Sequence, residues 1–126
     1  MRSLPSLSLL SAAAAVALIA AGCATSKPKP TITIEDIMKE GFKGTNSIAA
    51  HIGKNMATEG EKMRMVVLTQ QLALNAPPKG DLADWTARTT QLNQAAVAVE
   101  SNLPGSLESW RAAVDCKACH TAHKPD

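Results

Sequence analysis

Near the end of the chain stands Cys116-Lys117-Ala118-Cys119-His120, a run of thiols and an imidazole at fixed spacing. Cys-x-x-Cys-His is the attachment signal for a c-type haem. Two thiols about one helical turn apart match the two vinyl groups of the porphyrin, to which they form thioethers. The imidazole next to the second thiol then gives the iron a proximal nitrogen ligand. Two other chemistries draw on the same residues. A dithiol pair needs only Cys116 and Cys119, and a zinc site would recruit His120 and His123 as well. A thioredoxin-like dithiol wants a βαβ setting, which this chain does not suggest. On one continuous helix the four zinc candidates are expected to spread around too wide an arc to converge. One covalent haem c, held by Cys116, Cys119 and His120, is therefore the expectation.

Such a site needs a place outside the cytoplasm where it can be matured, and a scaffold. The chain has 126 residues, enough for one small domain. It opens as an export signal: Met1-Arg2, then an apolar run from about Leu7 to Ala21, short for a membrane span. Leu18-Ile19-Ala20-Ala21-Gly22-Cys23 matches a bacterial lipoprotein box except that Ala20 stands where Leu is usual. Cys23 is accordingly the expected lipidation site, ordinary cleavage nearby being the alternative. Both outcomes leave a periplasmic protein, and lipidation adds a membrane anchor. Of the three cysteines, removing Cys23 from the count leaves the two of the motif. The domains read as a signal peptide over 1–23, a polar linker over 24–31 and a haem domain over 32–126. With 13 Lys+Arg, one of them Arg2 in the signal, against 11 Asp+Glu, the charge excludes a nucleic-acid binder.

The domain reads as all-α, an antiparallel four-helix bundle. The first helix starts near Thr33, with Glu35 and Asp36 in its first turn and Ile34, Ile37, Met38, Gly41 and Phe42 on one face. A break is expected around Lys43 to Asn46 before Ser47 restarts a helical turn. Thr58 and Glu61 form a capping box opening a second helix to about Asn75, with Met63, Val66, Val67 and Leu74 as its apolar positions. Ala76-Pro77-Pro78-Lys79-Gly80 stops it. Asp81 caps a third helix whose seam is Leu82, Trp85, Thr89, Leu92, Ala96, Val99 and Leu103. After Pro104-Gly105, Ser106 caps a fourth, which runs through Leu107, Trp110 and Val114 straight into Cys116 and His120. Phe42, Trp85 and Trp110 are the only aromatic hydrophobes, so a porphyrin would fill much of a thin core. Met63 and Met65 are expected as core filler, Trp85 and Trp110 as seam residues, His51 as a partly exposed helix residue and His123 as solvated.

A signal peptide, four helices and a C-terminal Cys-Lys-Ala-Cys-His resemble the class II c-type cytochromes, the cytochrome c′ family, over roughly Ile32 to Lys124. The resemblance implies a haem near one end of the bundle, with Cys116 and Cys119 as thioether cysteines and His120 as proximal ligand. Lys124 falls where the family often has a basic residue, whereas His123 replaces a common aromatic. It also implies that the distal residue comes from the first helix, where the family's usual Arg is absent. One alignment puts Phe42 over the iron and another, one turn back, puts Met38 there; His51 and Met56 are the remaining candidates. A methionine ligand would make a low-spin electron carrier, whereas an apolar Phe42 would leave a five-coordinate iron open to NO or CO. No positioned acid–base pair accompanies the motif, so an electron carrier is expected rather than an enzyme. Its partners would be redox proteins docking near the haem edge, and the family habit of pairing implies a homodimer.

Overall fold

Four helices begin where a short polar side chain folds back to cap the backbone. Thr33 accepts from the Asp36 amide ahead of α1 (Ile34–Ile37), and Ser47 from the Ala50 amide ahead of α2 (Ile48–Gly53). Thr58 and Glu61 make the reciprocal capping box of α3 (Glu59–Leu74), and Asp81 caps α4 (Leu82–Glu100) through the Asp84 amide. Each such cap satisfies an orphan N–H and contributes about 1 kcal/mol. The computed structural model describes residues 22 and 26–126, so the apolar run of the signal and Cys23 lie outside the described residues. Those described residues are all-helical, with no strand among them. No helix among them is long and apolar enough to cross a membrane.

α1 does not end at Ile37. It continues as a π-helical turn, Met38–Phe42, closed by the Lys43 amide donating to the Met38 carbonyl at 2.9 Å. Turns of this kind are rare and concentrate at functional sites. The expected break follows it at Lys43, whose backbone is extended.

The fourth helix departs from expectation at both ends. Its N-cap is Gly105, not Ser106, because the corner needs a left-handed residue (φ 76°) that glycine alone adopts without strain. It then stops as α5 (Ser106–Ala113) instead of running on into the motif. Val114 and Asp115 leave the helical region, and the Asp115 carboxylate accepts from the Ala118 amide to cap a new helix, α6 (Cys116–His123). Aspartate competes with the helix for backbone N–H groups, which is why it starts helices better than it continues them.

α3 packs on α4 and α4 on α5, while α1 and α2 lie against α3, and α2 also meets α5. Ile37, Ile52, Met65, Leu68, Leu72, Trp85, Ala96, Val99 and Trp110 form the core. Trp85, Thr89, Ala96 and Val99 of the α4 seam are buried as their spacing predicts. Leu82 and Leu103 are exposed instead: Leu82 is the first residue of α4, and Leu103 lies past its end, beyond Asn102 at φ 51°. On α3 the buried stripe is Met65, Leu68, Thr69 and Leu72, so Met63 and Val67 face solvent rather than core. A polar residue belongs in that stripe because the Thr69 hydroxyl donates to the Met65 carbonyl and accepts from Asn93.

Candidate haem site

Cys116, Cys119, His120 and His123 fall at i, i+3, i+4 and i+7 of α6, one stripe of a helix. All four line a cavity of about 790 Å³. That volume lies in the range of pockets that enclose cofactor-sized ligands, about 300–1,000 Å³. α5 contributes Ala113, after which Val114 and Asp115 join the wall; α4 adds Trp85, Arg88, Thr89 and Leu92. The first helical segment lines the same cavity through Ile34, Met38 and Phe42. Two of the four distal candidates, Met38 and Phe42, thus share a cavity with the motif although some 75 residues separate them in sequence. His51 and Met56 do not line it. His51 bonds through Nδ1 to Glu61 at 2.7 Å, and Met56 is exposed.

The thiols are unpaired, Cys116 exposed and Cys119 half-buried. Burial pushes the Cys119 thiol up from its ordinary value, the opposite of what an activated dithiol requires. Zinc fares no better. Among the described residues no group of three or more His, Cys, Asp or Glu side chains is placed to hold a metal ion. The reason differs from the expected wide arc, since the four candidates share one face. They are spread along about 10 Å of helix axis instead, and His123 is otherwise engaged.

His123 is the largest correction. Instead of being solvated near the terminus, it is 2% exposed. Its Nδ1 pairs with the Lys79 carbonyl at 2.9 Å and its Nε2 with Asp84 Oδ2 at 2.8 Å. Its ring meets Trp85 edge to face with centroids 5.2 Å apart. Arg88, one turn on from Asp84, binds the same Oδ2 at 2.7 Å. The Arg88 hydrogen bond, with that of His123 behind it, holds the Asp84 carboxyl below its usual range.

Trp85 both packs in the core and lines the cavity, its Nε1–H donating to the Asn75 carbonyl at 2.8 Å. Trp110 does not reach the cavity; it is 1% exposed and donates to the Ala49 carbonyl. Met65 is core filler as expected. Sequence reasoning passed over Arg88 as a lining residue, whereas Ile34 lines the cavity with Met38 and Phe42, whose face it was expected to share. Arg88 was within reach, because 85, 88, 89 and 92 repeat the i, i+3, i+4, i+7 spacing of one helical face.

Does a haem suit these residues? The walls are mainly apolar, and the two free thiols and His120 lie on one of them. No side chain among the described residues hydrogen-bonds the His120 ring, so a nitrogen is open to a metal. Lys39, Lys43, Arg88 and Lys124 stand among the lining residues and suit two carboxylates at the edge of a flat apolar body. The donor set fits. Comparison with known proteins returns no family model, no curated protein and no solved structure that matches this chain.

Proposed function

We propose that the chain is a mono-haem c-type cytochrome that carries electrons in the periplasm. The observation that carries this is the single cavity in which Cys116, Cys119 and His120 meet Met38 and Phe42. Haem c supplies a one-electron iron couple, while the chain supplies attachment, orientation and burial. Cys116 and Cys119 would tether the macrocycle and His120 would ligate its iron. The apolar walls from Ile34, Leu92 and Val114 keep water from much of the group. Grouping α1 with its π turn and α2, then α3, then α4, then α5 with α6 gives four helical segments, which supports a four-helix bundle of the cytochrome c′ type. The half-open cavity leaves an edge at which redox proteins can dock.

Export and lipidation at Cys23 belong to the same proposal. Acyl groups on Cys23 at the mature N-terminus, read by mass spectrometry, would support an anchor; a mature chain beginning beyond Ala24 would exclude one. Lys27 donates to the Ala73 carbonyl, and Thr31 to Gln71, so the linker starts beside the end of α3.

The deciding experiment is optical. Protein produced in a host that matures c-type haem is expected to give a c-type pyridine haemochrome at one haem per chain. A colourless product from that host sinks the proposal.

A five-coordinate, gas-binding site is the second reading, favoured by Phe42 facing the cavity alongside Met38. Single alanine substitutions separate the two. If Met38 ligates the iron, Met38→Ala converts a low-spin ferric spectrum to high-spin and Phe42→Ala leaves it low-spin. If Phe42 caps an open iron, the parent is already high-spin, and Phe42→Ala speeds CO binding. A low-spin spectrum surviving both substitutions excludes both residues as arbiters of the distal side.

A further inference from the structure

α6 carries the whole attachment motif, yet His123 is its only buried residue. Its N-terminal end follows the non-helical Val114-Asp115 step, and Cys116 there is exposed. Its C-terminal end is held differently. The His123 ring is fixed at both nitrogens, by the Lys79 carbonyl and by Asp84, with the edge of Trp85 against it. The turn that presents Lys79 is shaped to this end of the helix. Gly80 sits at φ 86°, and a Cβ there would stand 2.4 Å from the Ala122 carbonyl oxygen and 2.9 Å from His123 Nδ1. Only glycine permits that approach.

We infer that His123, clamped between Asp84 and the Lys79 carbonyl, is a positioning residue that sets the rotation of α6 and so the aim of His120. An apolar side chain of similar size would fix how deep the helix lies. Two hydrogen bonds in different directions fix in addition which way its face points. His123 shares that face with Cys116, Cys119 and His120, so pinning one pins the stripe. Without the clamp, α6 is free to turn about Val114-Asp115. The functional meaning rests on the haem proposal; the clamp itself does not.

The test uses the full haem-loaded chain with three substitutions: His123→Ala, His123→Phe and Asp84→Asn. His123→Phe keeps the bulk and loses both hydrogen bonds. Asp84→Asn alters one half-exposed partner and leaves a polar amide facing Nε2, so it guards against a variant that fails to fold. In His123→Phe, amide exchange across 116–123 is expected to accelerate about tenfold or more, from two lost bonds, with α3 and α4 unchanged. Its ferric spectrum or reduction potential is expected to shift as well, and Asp84→Asn to fall between it and the parent. Parent-like α6 exchange in His123→Phe and in Asp84→Asn overturns the clamp. Faster α6 exchange with a parent-like spectrum and potential overturns its role in aiming His120. The two proposals fail separately: a parent chain without haem defeats the haem reading, and the exchange comparison can still be made on it.

Discussion

Replacing Cys116 and Cys119 together by serine is expected to abolish covalent haem while leaving the helices in place. The parent should hold its colour through acid–acetone extraction and denaturing electrophoresis; the double variant should lose it in both. The expectation follows from where the thiols sit. Cys116 is exposed and Cys119 half-buried, so neither fills a tightly packed core position whose loss would unfold the chain. Far-UV circular dichroism should therefore show parent-like helicity, compared at equal haem content because a porphyrin in the cavity itself stabilises the fold. The single variants distinguish thioether attachment from simple ligation. Each should retain haem through one remaining bond with a shifted haemochrome band, since one vinyl group stays unreacted. His120→Ala differs again: tethered haem is expected, with the proximal nitrogen gone. If the double serine variant keeps acid-resistant haem, the motif is not the attachment site.

Much of the scaffold was legible because it is written in local chemistry. Thr33, Ser47, Thr58 with Glu61, and Asp81 cap helices for reasons confined to four residues, and the structure finds them capping. The α4 seam was legible too, because a 3.6-residue period survives in any buried helix. Other features depend on what lies across the fold. His123 looked solvated because it stands near the terminus, and nothing in its neighbourhood announces Asp84 and Lys79 as partners. Met63 and Met65 are indistinguishable by type; which one is buried depends on how α3 rotates against α4. The Val114-Asp115 break was the near miss. Asp115 ahead of Cys116 is a helix-start signal of the same kind as Asp81, and it went unread because the apolar spacing of Trp110 and Val114 carries straight through it. For the candidate site, motif position located one wall, and the first helix was named as the other only through family resemblance. The π turn could not be read, since Met38 and Phe42 lie four apart in either geometry.

Trp110→Ala is expected to be the most destabilising single substitution away from the cavity. Trp110 is 1% exposed, among the largest fully buried side chains, and spans α5 to α2 through its bond to the Ala49 carbonyl. The neighbouring Arg111 guanidinium donates twice to the Gly53 carbonyl, at 3.0 and 2.8 Å, so the same two helices are joined at a second point. Truncating a buried tryptophan costs about 3–5 kcal/mol, against a total of about 5–15 kcal/mol for a domain. Arg111 is exposed, and its removal is expected to cost no more than about 1–2 kcal/mol. In a domain of this size a loss of about 3 kcal/mol lowers the melting temperature by at least ~10 °C. Trp85→Ala is the informative contrast, since Trp85 lines the cavity and braces His123. Both tryptophan variants should melt early, but only Trp85→Ala should also perturb the ferric spectrum at temperatures where the chain is still folded. Trp110 acts on α6 through α5 and the non-helical Val114-Asp115 step. A spectrum disturbed equally by both substitutions would mean that this step transmits strain, and that α6 is aimed from α5 rather than from His123.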